Sequence, residues 1–252
     1  MSLSYLTYRT AIEQETDRLV RATTGADPAA PVPGCPGWTL ADLLRHTGNL
    51  QRWFTVLLRD LAPQRPARPE IDPDLPADPA RYPHWLAEGA AAAVAVLRDT
   101  DPDAPMWAWG PDQHARFWAR RMLLETLVHR VDAERAVGLP TDIDPVLAAD
   151  GVDEFLTNLP YATPFAPHVA GLRGADEVIR FECTDLDRRW TVRLRPGGFG
   201  LDPGDGPAHA SVRAGAAALL LFVYGRTAPG DGTVTRLGDD TLIARWCANS
   251  RF

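Results

Sequence analysis

The sequence predicts an α+β protein in two parts, a helical bundle over residues 1–160 and a small α+β unit over residues 161–252. Three observations carry this. Before residue 160, apolar residues recur at steps of three and four in one segment after another, the period of a helix buried on one side. After Tyr161 the pattern changes to alternation, in EVIRFECTD and RRWTVRLRPGG, which is the period of strands. The length, 252 residues, suits one large domain or two smaller ones.

The first helix runs from Leu3 to about Ala22, with Tyr5, Ile12, Leu19 and Val20 as its apolar side. GADPAAPVPGCPG then interrupts, because its Pro and Gly content supports no regular element. The second helix begins at Trp38-Thr39. Thr39 is placed to cap it, with Asp42 three residues on as an Asp variant of the capping box. Its stripe is Leu43, His46, Leu50, Trp53 and Leu57. Ala62 to Pro83 reads as a long surface loop, rich in Pro, Asp and Arg. A third helix, about Tyr82 to Arg98, is rich in Ala, and small side chains let it pack closely. DPDAPMWAWGPDQ connects it to a fourth helix, His114 to Val137, which Gly138 and Pro140 terminate. A short helix from about Asp144 to Leu159 closes the first part.

In the second part the two alternating runs form a hairpin across Asp185-Leu186-Asp187. AHASVRA adds a strand, Ala214 to Tyr224 a buried helix, VTRLG a last strand, and Asp239 to Ala248 a last helix.

The formal net charge is -7, so no basic excess drives nucleic-acid or anionic-membrane binding. No apolar run is long enough to span a bilayer; the longest, AGAAALLLFVYG, falls short. The N-terminus lacks a basic region followed by an apolar run. Three distant cysteines, Cys35, Cys183 and Cys247, form no CxxC pair, which suits a reducing compartment. The expected location is the cytoplasm.

Chemistry concentrates on the fourth helix. One stripe of it is Trp118, Met122, Glu125, His129, Asp132 and Ala136, and its middle carries ionisable groups where Leu or Val belongs. A carboxylate aimed into an apolar interior is costly unless something pairs with it. The second helix repeats the anomaly at His46. His46, Glu125 and His129 thus make a two-His, one-carboxylate set suited to Zn²⁺ or a related divalent ion. Three protein ligands leave a coordination position open, as in catalytic sites. Imidazole nitrogens of His46 and His129 standing well over about 5 Å apart would end this reading, because Zn–N bonds are only about 2 Å. Asp132, a turn beyond His129, is placed to orient a ligand imidazole. Asp42 could do the same for His46, or simply cap its helix.

Ordinary readings stand beside these. A single inward His is commonly a hydrogen-bonded core residue, and Glu125 could pair with an Arg such as Arg121. Arg116, Arg120, Arg121 and Arg130 could attract an anion, although a helical Arg series is normally a solvated face. Cys35 could reach the site as a fourth ligand or redox thiol, or be a small buried hydrophobe in a tight turn. Trp107, Trp109 and Trp118 could wall a pocket or pack a core. His84, His114, His168 and His209 read as surface or loop positions.

VPGCPGWTLADLLRHTGNL and RRMLLETLVHRVDAERAVG resemble the second- and fourth-helix motifs of the mycothiol-dependent maleylpyruvate isomerase family, a branch of the DinB-like metal-binding four-helix bundles. ECTDLDRRWTVRL and GDDTLIARW are similar to the small α+β, SCP2-like domain that accompanies the bundle there. The resemblance implies metal ligation by His46 in W-T-x-x-D-L-x-x-H, and by Glu125 and His129 in E-x-x-x-H-R-x-D. It implies mycothiol, an actinobacterial thiol, as cosubstrate, and an active-site Arg from the C-terminal domain, for which Arg226 in VYGRT is the candidate.

The expectation is a divalent-metal- and thiol-dependent isomerase or S-transferase acting on a small electrophile, with Asp132 and Arg226 as its catalytic candidates. Alternatives keep the metal with water as nucleophile and Asp132 as general base, keep it as non-haem iron, or make the bundle a non-catalytic ligand-binding protein.

Overall fold

The computed structural model describes residues 3–65, 74–204, 206–227 and 231–251. Within the expected surface loop Ala62–Pro83, residues 66–73 lie outside those described. Contacts divide the chain into two units. One comprises residues up to Ala108 together with Asp112–Asp142, and the other comprises Trp109–Pro111 and Ile143–Phe252. The helix Pro145–Asn158 therefore falls in the second unit, whereas the sequence reading placed it in the first, with a boundary at 160/161. The reason is its packing partner, a helix at residues 216–223.

The first unit is a four-helix bundle of α1 (Tyr5–Thr23), α2 (Leu40–Asp60), α3 (Tyr82–Asp99) and α4 (Ala115–Ala136). Each of α1 and α2 packs on both α3 and α4. The helices start where local chemistry allows. The Ser4 side chain accepts from Thr7 N, and Thr39 and Asp42 form the expected capping box at α2. Such a cap satisfies two amides that would otherwise lack a partner. Gly48 lets α2 and α3 close up. A Cβ there would meet the Trp85 ring at 2.1 Å, so any larger residue would force that ring away.

The loop between α1 and α2 is built as consecutive turns, with Cys35 N donating to Val32 O and Trp38 N to Cys35 O, each at 3.0 Å. Gly37 takes φ +85°, a conformation other residues rarely adopt, and so permits the second turn. This loop and α2 share a core cluster of Leu19, Val32, Leu40, Leu43, Leu44, Tyr82, Leu86 and Ala133, with Cys35 and Trp38 packed at its edge.

The α4 helix departs from the one-stripe expectation. Arg121 and Arg130 lie off that stripe, yet they are only 1% and 0% exposed. They are not a solvated face. Arg130 Nε donates to Glu15 of α1 and Nη1 to Glu134, both at 2.7 Å, and Arg18 Nη2 donates to Glu134 at 3.1 Å. Paired in this way, buried charges escape most of the desolvation penalty that a lone one would carry.

The second unit opens with α5 (Pro145–Asn158), capped by Asp144 and packed on α6 (Ala216–Val223). Its sheet has the order β3-β2-β1-β4-β5. The strands are β1 (Glu177–Cys183), β2 (Arg189–Arg195), β3 (Gly198–Leu201), β4 (Ala210–Ala214) and β5 (Thr235–Gly238). The expected hairpin is the antiparallel β1–β2 pair, while β1 and β4 run parallel. Inward residues Ile179, Phe181, Val192, Leu194 and Val212 are all at most 1% exposed. Trp246 of α7 (Asp240–Asn249) packs on Phe181 with centroids 5.2 Å apart. No helix among the described residues is long and apolar enough to cross a membrane.

Candidate metal centre

The α2 helix does not bury the expected stripe as its centre line. Its buried residues are Leu40, Leu43, Leu44, Thr47, Gly48, Gln51, Phe54, Leu57 and Leu58. His46, Leu50 and Trp53 lie at the margin, half-buried. For His46 this shift places the ring at the edge of the core, half-buried.

His46 meets α4 there. One ligand atom each from His46, Glu125 and His129 can be chosen so that all lie within 4.8 Å of one another. Small shifts would bring these atoms to the roughly 3.3 Å that separates ligands of a tetrahedral ion. The two imidazole rings stand at 86°, with centroids 5.0 Å apart. Glu125 Oε2 lies 3.5 Å from Nε2 of His129. Donors bound at about 2 Å around a tetrahedral ion are separated by about 3.3 Å, so this pair is already near ligand spacing.

Neighbours hold the three in place. Arg121 Nη2 donates to Glu125 Oε1 at 2.9 Å. Burial pushes the Glu125 carboxyl up, but Arg121, then His129 and His46, act more strongly and hold it well below its ordinary range. Asp132 is 0% exposed, and its Oδ2 stands 3.0 Å from Nδ1 of His129. Cys35 Sγ lies 3.4 Å from that same oxygen. Burial disfavours the charged His129 ring, yet hydrogen bonds to Asp132, Cys35 and Glu125 outweigh it and raise the ring well above its ordinary value. A carboxylate behind one ring nitrogen is the usual orienting partner of a metal-binding imidazole whose other nitrogen faces the ion.

Trp38 forms the wall. Its ring is 4.9 Å from that of His46 and 6.2 Å from that of His129. Of the two roles open to Trp107, Trp109 and Trp118 from sequence, wall of a pocket or packing of a core, the structure gives Trp118 the second. Trp118 is fully buried among Trp53, Phe54, Trp107 and Phe117, and its Nε1 donates to Trp107 O at 2.7 Å. Trp109 packs on Phe165. The available signal for Trp38 was its place between Cys35 and the Thr39 cap, in the turn that leads into the His46 helix.

The other candidates separate out. Asp42 caps α2 through Thr39 and pairs with Arg45 at 2.8 Å. Arg116 is engaged by Asp112 and Asp103. His84, His168 and His209 are exposed, and His114 is the N-terminal flank of α4. Arg226 follows α6 in the second unit, half-buried, with its Nη1 donating to Tyr224 O at 2.8 Å. A cleft of about 560 Å³ between α2 and α3, lined by residues such as Arg52, Trp85 and Glu88, contains none of the three clustered residues. Volume alone does not mark the chemistry here; the convergence of ligand types does.

The donor chemistry fits a divalent cation: two imidazoles and one carboxylate held ionised. Fold and site together define a two-unit α+β protein with a His-Glu-His cluster across two helices of its bundle. Residues 9–134 match the family described as the mycothiol maleylpyruvate isomerase N-terminal domain, and residues 146–245 match its C-terminal domain. The chain belongs to the mycothiol maleylpyruvate isomerase family. The crystal structure of mycothiol-dependent maleylpyruvate isomerase is similar with a TM-score of 0.61 at 17% identity, covering 93% of each chain. A histidine-to-alanine mutant of that protein gives a TM-score of 0.63 at the same identity and coverage. At such identity the likeness establishes a shared fold. No curated protein matches this chain in sequence.

Proposed function

We propose that this protein is a divalent-metal-dependent isomerase or S-transferase that uses mycothiol on a small electrophilic substrate, with maleylpyruvate as the first compound to test. The single observation that carries this is the gathering of ligand atoms of His46, Glu125 and His129 within 4.8 Å of one another, in a chain of this family. A divalent ion in such a site lowers the pKa of a bound thiol and so favours the thiolate, the nucleophilic form.

The chain's own residues supply the rest. Arg121 keeps Glu125 ionised and turns one carboxylate oxygen toward the imidazoles. Asp132 acts as a positioning residue, because it fixes the His129 ring and has no exposed surface from which to touch a substrate. That enclosure speaks against Asp132 as the base of a hydrolase. Trp38 walls the histidines and limits water on that side. Addition of the thiol to an unsaturated carbon, rotation and departure of the thiol would return it unchanged and leave an isomerised product; retention of the thiol would make the protein a transferase. Arg226 is the second unit's candidate for holding a substrate carboxylate.

The experiment is metal analysis of protein purified without added metal, followed by assay of maleylpyruvate with and without mycothiol. About one ion per chain in wild type, little in His46→Ala, and turnover only with thiol would support the reading. Equal metal in wild type and His46→Ala would end it.

A further inference from the structure

The His129 ring presents ligand-type neighbours at both nitrogens. Nε2 looks toward Glu125, at 3.5 Å. Nδ1 is 3.0 Å from Asp132 Oδ2, and Cys35 Sγ is 3.4 Å from that oxygen. One ligand atom each from Cys35, His129 and Asp132 lie within 4.8 Å of one another, as the atoms of the first set do.

We propose that Cys35, Asp132 and Nδ1 of His129 form a second cation position, selective for thiophilic ions, on the opposite edge of the ring from the His46–Glu125 set. A tetrahedral zinc with bonds of about 2.0–2.3 Å separates its nitrogen and oxygen ligands by about 3.3 Å, and its sulfur and oxygen ligands by about 3.5 Å. The observed 3.0 and 3.4 Å are close to both edges of that figure, so an ion needs only small shifts to enter. The donor set is softer than the first because it contains a thiol, and thiolate ligands favour zinc, cadmium and related ions. Cys35 is half-buried in the turn before α2, while Asp132 is enclosed.

The thiol and ring hydrogens directed at Asp132 are the ones a cation would replace, and metal binding at such groups releases protons. A neutral imidazole offers only one nitrogen lone pair. The two positions therefore compete for His129, and a thiophilic ion on the Cys35 side withdraws the ring from the first set. The proposal shares His129 with the proposed active centre but does not depend on its thiol chemistry.

The test uses the full chain, stripped of metal by a chelator and titrated with Cd²⁺. A thiolate-to-cadmium absorption band is expected in wild type. It should vanish in Cys35→Ser, whose circular dichroism reports folding, and persist in His46→Ala. Cd²⁺ affinity should fall by about tenfold or more in Cys35→Ser. No thiolate band in wild type, or one that survives in Cys35→Ser and so comes from Cys183 or Cys247, would overturn the proposal. Zinc content of Cys35→Ser, with and without His46→Ala added, reports separately on the first set, so the two readings can fail independently.

Discussion

Arg121 Nη2 stands 2.9 Å from Glu125 Oε1, one turn away on the same helix, and the guanidinium side chain is 2% exposed. The pairing sets the charge state of the ligand before any ion arrives. It also makes each partner costly to remove alone. Arg121→Met leaves Glu125 without its principal counter-charge, and the expected loss is about 3 kcal/mol of stability. Chemical unfolding of the metal-free variant against wild type checks this. A loss within about 0.5 kcal/mol, the level of an ordinary surface change, would show that the pair is not formed in solution.

Metal should stabilise the fold through the same set. A ligand that binds only the folded chain adds about 2.7 kcal/mol when present at a hundred times its dissociation constant. Thermal unfolding of chelator-treated protein should therefore shift upward on adding Zn²⁺. The shift should be largely lost in His46→Ala and in Glu125→Gln. An equal shift in all three proteins would place the binding elsewhere.

Much of this centre was legible in the sequence because it depends on helical period. The four-residue step from Glu125 to His129 fixes their shared face whatever the rest of the chain does, and the Thr39–Asp42 box locates the start of the helix that carries His46. What was not legible depends on partners distant in the chain. Arg130 reads as a surface residue until Glu15, from α1, is seen 2.7 Å away. The α2 stripe was read through His46, Leu50 and Trp53, whereas the buried side runs through Thr47, Gln51 and Phe54. Polar Thr47 and Gln51 disguise that face. Gln51 Nε2 spends its hydrogens on Thr16 and Thr126, at 3.2 and 3.3 Å, inside the bundle. Strand β3 went unread because GFGL looks like a turn, yet it pairs antiparallel with β2 from Gly198 to Leu201.

Asp132 should act on metal affinity through His129 rather than by touching the ion of the first set. Loss of such an orienting carboxylate typically weakens binding by about 10–100-fold. Asp132→Asn keeps the shape and removes the charge. Competition with a chromophoric chelator should show weaker Zn²⁺ binding within that range, whereas loss of a direct ligand such as His129 should cost more. Unchanged affinity in Asp132→Asn would remove its positioning role.

Cys183 provides a pH test remote from the metal. It ends β1, and burial, helped by Asp185, pushes its thiol up from 9.0 to about 11. The thiolate is the reactive form, so at pH 8 only about one molecule in a thousand is poised to react. Alkylation at Cys183 in folded protein should rise about tenfold per pH unit from 8 to 10 and level off near 11, as mass spectrometry of quenched samples can follow. The linkage has a definite sign. The folded state holds this proton more tightly than the unfolded state, so the thiol's contribution to stability is complete below pH 9 and declines as pH rises toward 11. Replacing Cys183 by Ala should remove that part of the alkaline loss while leaving the slope below pH 8 unchanged. A Cys183 that alkylates at pH 7 as fast as a free thiol would contradict its burial at the end of the strand.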